Sequence, residues 1–131
     1  MNILVAYREG TDLDKTVLAL AKKHAKAFNA RLYIAASMES ATSKDLDKLD
    51  KIESHLKYLK EATEAEGISC ETHLLIRGML PGEGIVEFAI DHKIDEIFIG
   101  IEKKSKVGKL IFGSNAQYII LEAPCPVVSV K

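Results

Sequence analysis

The chain predicts an α/β protein: an open five-stranded parallel sheet with helices on both faces, Rossmann-like in kind. Two observations predict it. Apolar runs of strand length alternate with stretches of helical periodicity from one end of the chain to the other. The runs are also continuous and not alternating apolar with polar, as expected of strands covered on both faces.

Residues 2–7 form the first apolar run, followed by a polar turn at 8–12. Leu13, Val17, Leu20, Ala21, His24, Ala25 and Phe28 then recur at helical spacing, with Asp12 placed to cap the start and Asn29 to stop it. Residues 31–37 predict a second strand and 38–44 a polar loop at its end. Leu46, Leu49, Ile52, Leu56, Leu59, Ala62 and Ala65 mark a long amphipathic helix that Gly67 ends. Its acidic residues and lysines make a solvated face.

A third strand is expected over 69–76, a turn with strong breakers over 77–82, and a short helix over 84–93 carrying Ile85, Phe88 and Ala89 inward. Residues 95–100 predict the fourth strand. A long glycine- and lysine-rich loop follows, and beyond it Ala116, Ile119, Ile120 and Ala123 share one side of a helix that Gly113 and Ser114 begin. Val127–Val130 is the last strand, with Pro124 and Pro126 confined to its entry.

Size and composition narrow the function classes. The 131 residues fit one domain, 1–131, with a single core. A hydrophobic fraction of 47% and a net charge of −1 describe an ordinary globular chain and give no reason to expect a nucleic-acid partner. No apolar run approaches the roughly 20 residues of a membrane span, and the N-terminus lacks a basic region ahead of an apolar one, so a cytoplasmic protein with no membrane partner is expected. Cys70 and Cys125 have neither metal nor redox spacing; small buried hydrophobes is the plain reading, a redox thiol at Cys125 the sharper one. His24, His55, His73 and His92 form no metal pattern, and no nucleophile, base and acid set can be assembled, so no enzyme activity is assigned.

The chemistry concentrates in residues 100–114. Gly113 and Ser114 at a helix N-terminus offer unpaired N–H groups and the positive end of the helix dipole, a seat for phosphate. Gly100, Gly108, Lys103, Lys104, Lys106 and Lys109 add close backbone approach and positive charge. The plain alternative is a solvated surface loop. A P-loop is excluded because Leu110 follows Gly108 and Lys109 where a hydroxyl is required. The Ser-Gly-Gly-x-Asp-Ser loop of the adenylating pyrophosphatases is absent after the first strand.

Gly100, two residues, Lys103, nine residues, then Gly113 and Ser114 resembles the Gly-x2-Gly-x9-Gly-Ser/Thr nucleotide motif of the universal stress protein family, with lysine at the second glycine. Residues 123–130 and 3–6 are similar to the family's last and first strands, so the resemblance spans the chain. It implies strand order 3-2-1-4-5, a crevice between the loops after the first and fourth strands, and ATP, with Mg2+, as the ligand. It implies contacts from Ala6, Tyr7, Arg8, Ala36, Ile99, Gly100, Lys103, Gly113 and Ser114. Arg8 stands where nucleotide-binding members carry an acidic residue that reaches the adenosine end, a reversal of charge that exchanges acceptors for donors. Lys103 either obstructs the phosphates or binds them as a point charge. The resemblance also implies a homodimer through Val127–Val130, an edge strand otherwise open to pairing. Two functions follow: a regulatory domain that binds ATP or a related nucleotide without turnover, or a dimeric stress-response interaction module that has lost the nucleotide.

Overall fold

The computed structural model describes residues 1–8, 11–102 and 113–131. Lys103 and the other lysines of the long loop, with Gly108, lie outside the described residues. In chain order the elements are β1 (Asn2–Ala6), α1 (Asp12–Phe28), β2 (Arg31–Met38), a 3-10 turn (Ser43–Asp45), α2 (Leu46–Ala65), β3 (Cys70–Ile76), α3 (Pro81–Asp91), β4 (Glu96–Gly100), α4 (Ser114–Glu122) and β5 (Val127–Val130).

The five strands form one sheet in the order β3-β2-β1-β4-β5, and every pairing is parallel. Asn2 to Ala6 pair with Arg31 to Ala35 on one side of β1, and Ile3 to Val5 with Glu96 to Phe98 on the other. Successive residues of the central strands enter different cores. Ile3, Val5, Leu32, Ile34 and Phe98 pack with α1 and α2, while Leu4, Tyr33, Ala35, Ile97 and Ile99 pack with α3 and α4. Both sets are apolar because both faces are covered, which is why these strands carry no polar alternation.

Chain order reverses beside β1: β2 lies on one side of it and β4 on the other. Such a switch point opens a crevice at the C-terminal ends of the strands. The loops leaving β1 and β4 therefore start from adjacent strands, roughly 4.8 Å apart.

Local chemistry shifts several boundaries from those expected. Thr11, not Asp12, caps α1: its Oγ1 accepts from the Asp14 amide at 3.0 Å. Asp12 and Asp14 then occupy the first turn, where their charges suit the helix dipole. Asn29, the expected stop, adopts the left-handed conformation at φ 52°. The breaker pair Pro81 and Gly82 lies inside α3, which starts three residues before the expected Gly84. Proline at the first helical position loses no hydrogen bond, and the Glu83 carboxylate accepts from the Leu80 amide at 3.2 Å. Ile120, expected inward with Ile119, is exposed, while Ile119 is buried and Ala116 and Ala123 are half-buried.

Among the described residues, no helix is long and apolar enough to cross a membrane. Nor do any three His, Cys, Asp or Glu side chains among them group as a metal site. Burial, reinforced by the nearby Glu64 charge, pushes the Cys70 thiol up to about 11. The half-buried Cys125 thiol is also raised, mainly by burial and then by Asp95 and Glu96. Both thiols are protonated at neutral pH and behave as small hydrophobes.

Candidate functional site

A cavity of about 410 Å³ opens at the switch point. The end of β1 contributes Ala6, Tyr7 and Arg8, and β2 contributes Ala35 and Ser37. The β4 end supplies Ile99, Gly100, Ile101 and Glu102, and α3 and α4 add Pro81, Gly82, Ile85 and residues 113–116 among the described residues. The volume falls within the roughly 300–1,000 Å³ of small-molecule sites.

Two helix N-termini converge on this cavity and are tied together. The Gly82 amide donates to Asn115 Oδ1 at 2.9 Å, so one N-terminal donor of α3 that lacks an intrahelical acceptor is satisfied by a side chain of α4. The α4 donors are arranged differently. Its first intrahelical bond runs from the Gln117 amide to the Gly113 carbonyl at 3.1 Å, which leaves the amides of Ser114, Asn115 and Ala116 without an intrahelical acceptor. Gly113 itself has φ −61° and ψ 149°, and a Cβ there would meet nothing within 4 Å. Neither backbone strain nor packing within the described residues requires glycine at this position.

Gly100 is different. A Cβ on it would sit 2.9 Å from Leu13 Cγ and 3.3 Å from Val17 Cγ2, so α1 lies against the backbone of β4 at this point. The glycine is explained by helix packing, not by approach of a ligand. The Ile101 amide donates to the Val130 carbonyl at 2.7 Å and extends the β4–β5 pairing past the cavity rim.

Arg8 carries the nearest defined cation. Its Nε lies 3.5 Å from Oδ2 of Asp14, a carboxylate with no exposed surface. Thr11 Oγ1 donates to the same oxygen, and Asp14 Oδ1 has no hydrogen-bond partner among the described residues. The Arg8 side chain is 51% exposed, and the residue lines the cavity. Tyr7 turns the other way, its ring packed among α1 and α2 residues and its hydroxyl 3.0 Å from His55 Nε2.

Of the residues expected at the site, Ala6, Tyr7, Arg8, Ile99, Gly100, Gly113 and Ser114 all line the one cavity. Ala36 does not: it lines a second cavity on the opposite sheet face, because its neighbours Ala35 and Ser37 are the β2 residues that point into the first. Lys103 lies outside the described residues. Ser37, Pro81, Gly82, Glu102 and Asn115 line the cavity without having been expected there. Strand alternation from Ala36 gave a signal for Ser37, and proline at a helix start gave one for Pro81 and Gly82.

The pattern of the "Universal stress protein family" matches residues 1–131. A universal stress protein of Thermus aquaticus, named for its position in the QAH/OAS sulfhydrylase 3' region, is 34% identical over 141 residues, covering 98% of this chain and 97% of that one. The structure of a universal stress protein from Archaeoglobus fulgidus superposes with a TM-score of 0.86 at 33% identity, covering 100% of this chain and 93% of that chain. A universal stress protein of the same organism solved in complex with dAMP gives a TM-score of 0.81 at 29% identity, covering 100% and 98%. With the sheet order and the whole-length match in agreement, the chain belongs to the universal stress protein family.

Proposed function

We infer that the chain is a regulatory domain that binds ATP or a related adenine nucleotide at the switch-point cavity, with the phosphates on the α4 N-terminus. The observation that carries this reading is the start of α4, whose residues 114–116 line a cavity of about 410 Å³ and have amides without intrahelical acceptors. The dAMP-bound relative supports the ligand class. In this reading Ser114 adds its hydroxyl to the phosphate contacts, Arg8 adds a donor at the cavity mouth, and Ile85, Ile99 and Ile119 supply apolar wall. Glu102 is the one carboxylate among the described lining residues, and Mg2+ carried on phosphates needs only one or two carboxylates from protein. The role is binding and signalling through occupancy, without turnover.

β5 lies at the end of the sheet order with no strand beyond it among the described residues, which supports a second element of the reading: two copies associate through Val127–Val130. The alternative function, a dimeric stress-response module without nucleotide, is favoured by the Arg8–Asp14 pair, which holds one side of the guanidinium away from a ligand.

Calorimetric titration of ATP and AMP into nucleotide-stripped protein, with and without Mg2+, tests the reading. Binding that weakens roughly tenfold in Ser114→Ala is expected, the loss of one hydrogen bond to a charged group. Absence of heat and of thermal shift for both nucleotides leaves the interaction module.

A further inference from the structure

The second cavity, on the α2 face of the sheet, has a composition of its own. Its volume is about 300 Å³, and it shares Tyr7, Arg8 and Ser37 with the first while its other walls are different. The cause lies in how α2 meets the sheet. The C-terminal half is seated, with Leu56 at 4%, Leu59 at 8% and Thr63 at 0% exposure. The N-terminal half stands off: Leu46 is 59% exposed, and Leu49 and Ile52 are only half-buried. The apolar periodicity of this helix therefore runs two turns further than the core it covers. Part of the gap between it and the ends of β1, β2 and β3 is the cavity.

Its walls are apolar and its rim is cationic. Met38, Ile52, Leu56 and Leu74 form the walls. Lys48, Ile52, His55 and Leu56 fall at i, i+4, i+7 and i+8, one face of α2, which brings Lys48 to the rim above Ile52. Arg8 lines the cavity from the β1 side, its Nε 3.5 Å from Asp14 Oδ2 and its side chain 51% exposed. Lys48 has no ion pair among the described residues, and none of the described lining residues is acidic. Inside, the Tyr7 hydroxyl lies within hydrogen-bond distance of His55 Nε2, at 3.0 Å.

We propose that this cavity binds a small organic monocarboxylate with an apolar body, its carboxylate between Arg8 and Lys48 and its body against Met38, Ile52, Leu56 and Leu74. Apolar walls alone accept any hydrophobe. Asp14 already engages Arg8 at Nε, whereas Lys48 has no ion pair among the described residues and no described lining residue is a carboxylate, so the rim carries net positive charge and favours an anionic head over a neutral or cationic one. The site goes beyond the nucleotide reading and does not depend on it, because its test contains no nucleotide.

The test is a titration of octanoate into the full chain, followed by amide chemical shifts, with octanol and octylammonium carrying the same body without the negative charge. The expected result is saturable movement of amides in residues 48–56, at Leu74 and at Arg8, with octanol weaker by roughly tenfold and octylammonium weaker still. Lys48→Ala is expected to weaken octanoate by about two- to fivefold, as an exposed charge contact does, and to leave octanol unchanged. Octanoate and octanol binding alike, or shifts that never saturate or lie elsewhere, overturns the proposal. The comparison of octanoate with octanol on the wild-type chain decides by itself, whether or not a wall variant such as Ile52→Asp folds.

Discussion

The Gly82 amide donates to Asn115 Oδ1 at 2.9 Å, and a Cβ on Gly82 would lie 2.9 Å from the Asn115 carbonyl oxygen. The first turns of α3 and α4 are thus both joined and pressed together at one point. The obstacle to a side chain is backbone, which cannot rotate aside. Gly82→Ala is expected to lower stability by about 1–3 kcal/mol by forcing the two helices apart. It also displaces the α4 amides from the cavity. Urea unfolding measures the first effect and nucleotide affinity the second; an unchanged midpoint contradicts the packing account.

Gly100 and Gly113 belong to the same motif and are predicted to respond oppositely. Gly100→Ala pushes a methyl to 2.9 Å from Leu13 Cγ, a branch point and not the free end of a chain, and is expected to cost roughly 1–3 kcal/mol. Gly113→Ala meets nothing within 4 Å and has an ordinary negative φ, so its stability is expected to stay within about 0.5 kcal/mol. Any change in nucleotide affinity in Gly113→Ala then reports crowding of the ligand. Thermal melts of the two variants side by side check the contrast.

Asp14 is buried without exposed surface, and its described partners are Arg8, the Thr11 hydroxyl and its own cap geometry. Arg8→Ala removes the compensating charge and is expected to destabilise by about 1–3 kcal/mol, the penalty of stranding a buried polar group. Adding Asp14→Asn to Arg8→Ala is predicted to recover part of that loss. A double-mutant cycle by chemical denaturation reads the coupling; additive effects contradict a working pair.

The Cys70 thiol, pushed from 9.0 up to about 11 chiefly by burial, sets a stability change at alkaline pH. In the unfolded chain it ionises near its ordinary value, while in the folded chain it stays protonated. The unfolded state therefore holds fewer protons between the two values, and stability falls as pH rises from about 9 toward 11. Cys70→Ala is expected to flatten that part of the profile. Denaturation midpoints across the alkaline range measure it, and identical slopes in variant and parent exclude the thiol as the cause.

Much of this architecture is legible in the sequence, and the reasons are specific. Continuous apolar runs such as Ile3 to Val5 and Ile97 to Ile99 have one explanation when helices alternate with them, a parallel sheet covered twice. The site is legible wherever the chain turns sharply at a strand end, as at Tyr7, Arg8 and Gly100. It is hidden where two distant segments meet. Nothing local marks Asn115 as the partner of a residue 33 positions earlier, and the purpose of Gly100 depends on Leu13, a helix away. The choice between Ala36 and its neighbours turns on strand phase, where an error of one residue moves a side chain to the other face. The half-seated α2 is invisible in the sequence because its apolar spacing is the same over the seated and unseated turns.

The most direct test of the central claim is where a nucleotide phosphate sits. Titration of dAMP into isotope-labelled protein, followed by amide shifts, is expected to move Ser114, Asn115 and Ala116 most strongly, with Arg8 and Ser37 moving at the same concentrations. Saturable binding whose shifts leave the α4 N-terminus untouched, or no shift at all at millimolar dAMP, contradicts the account.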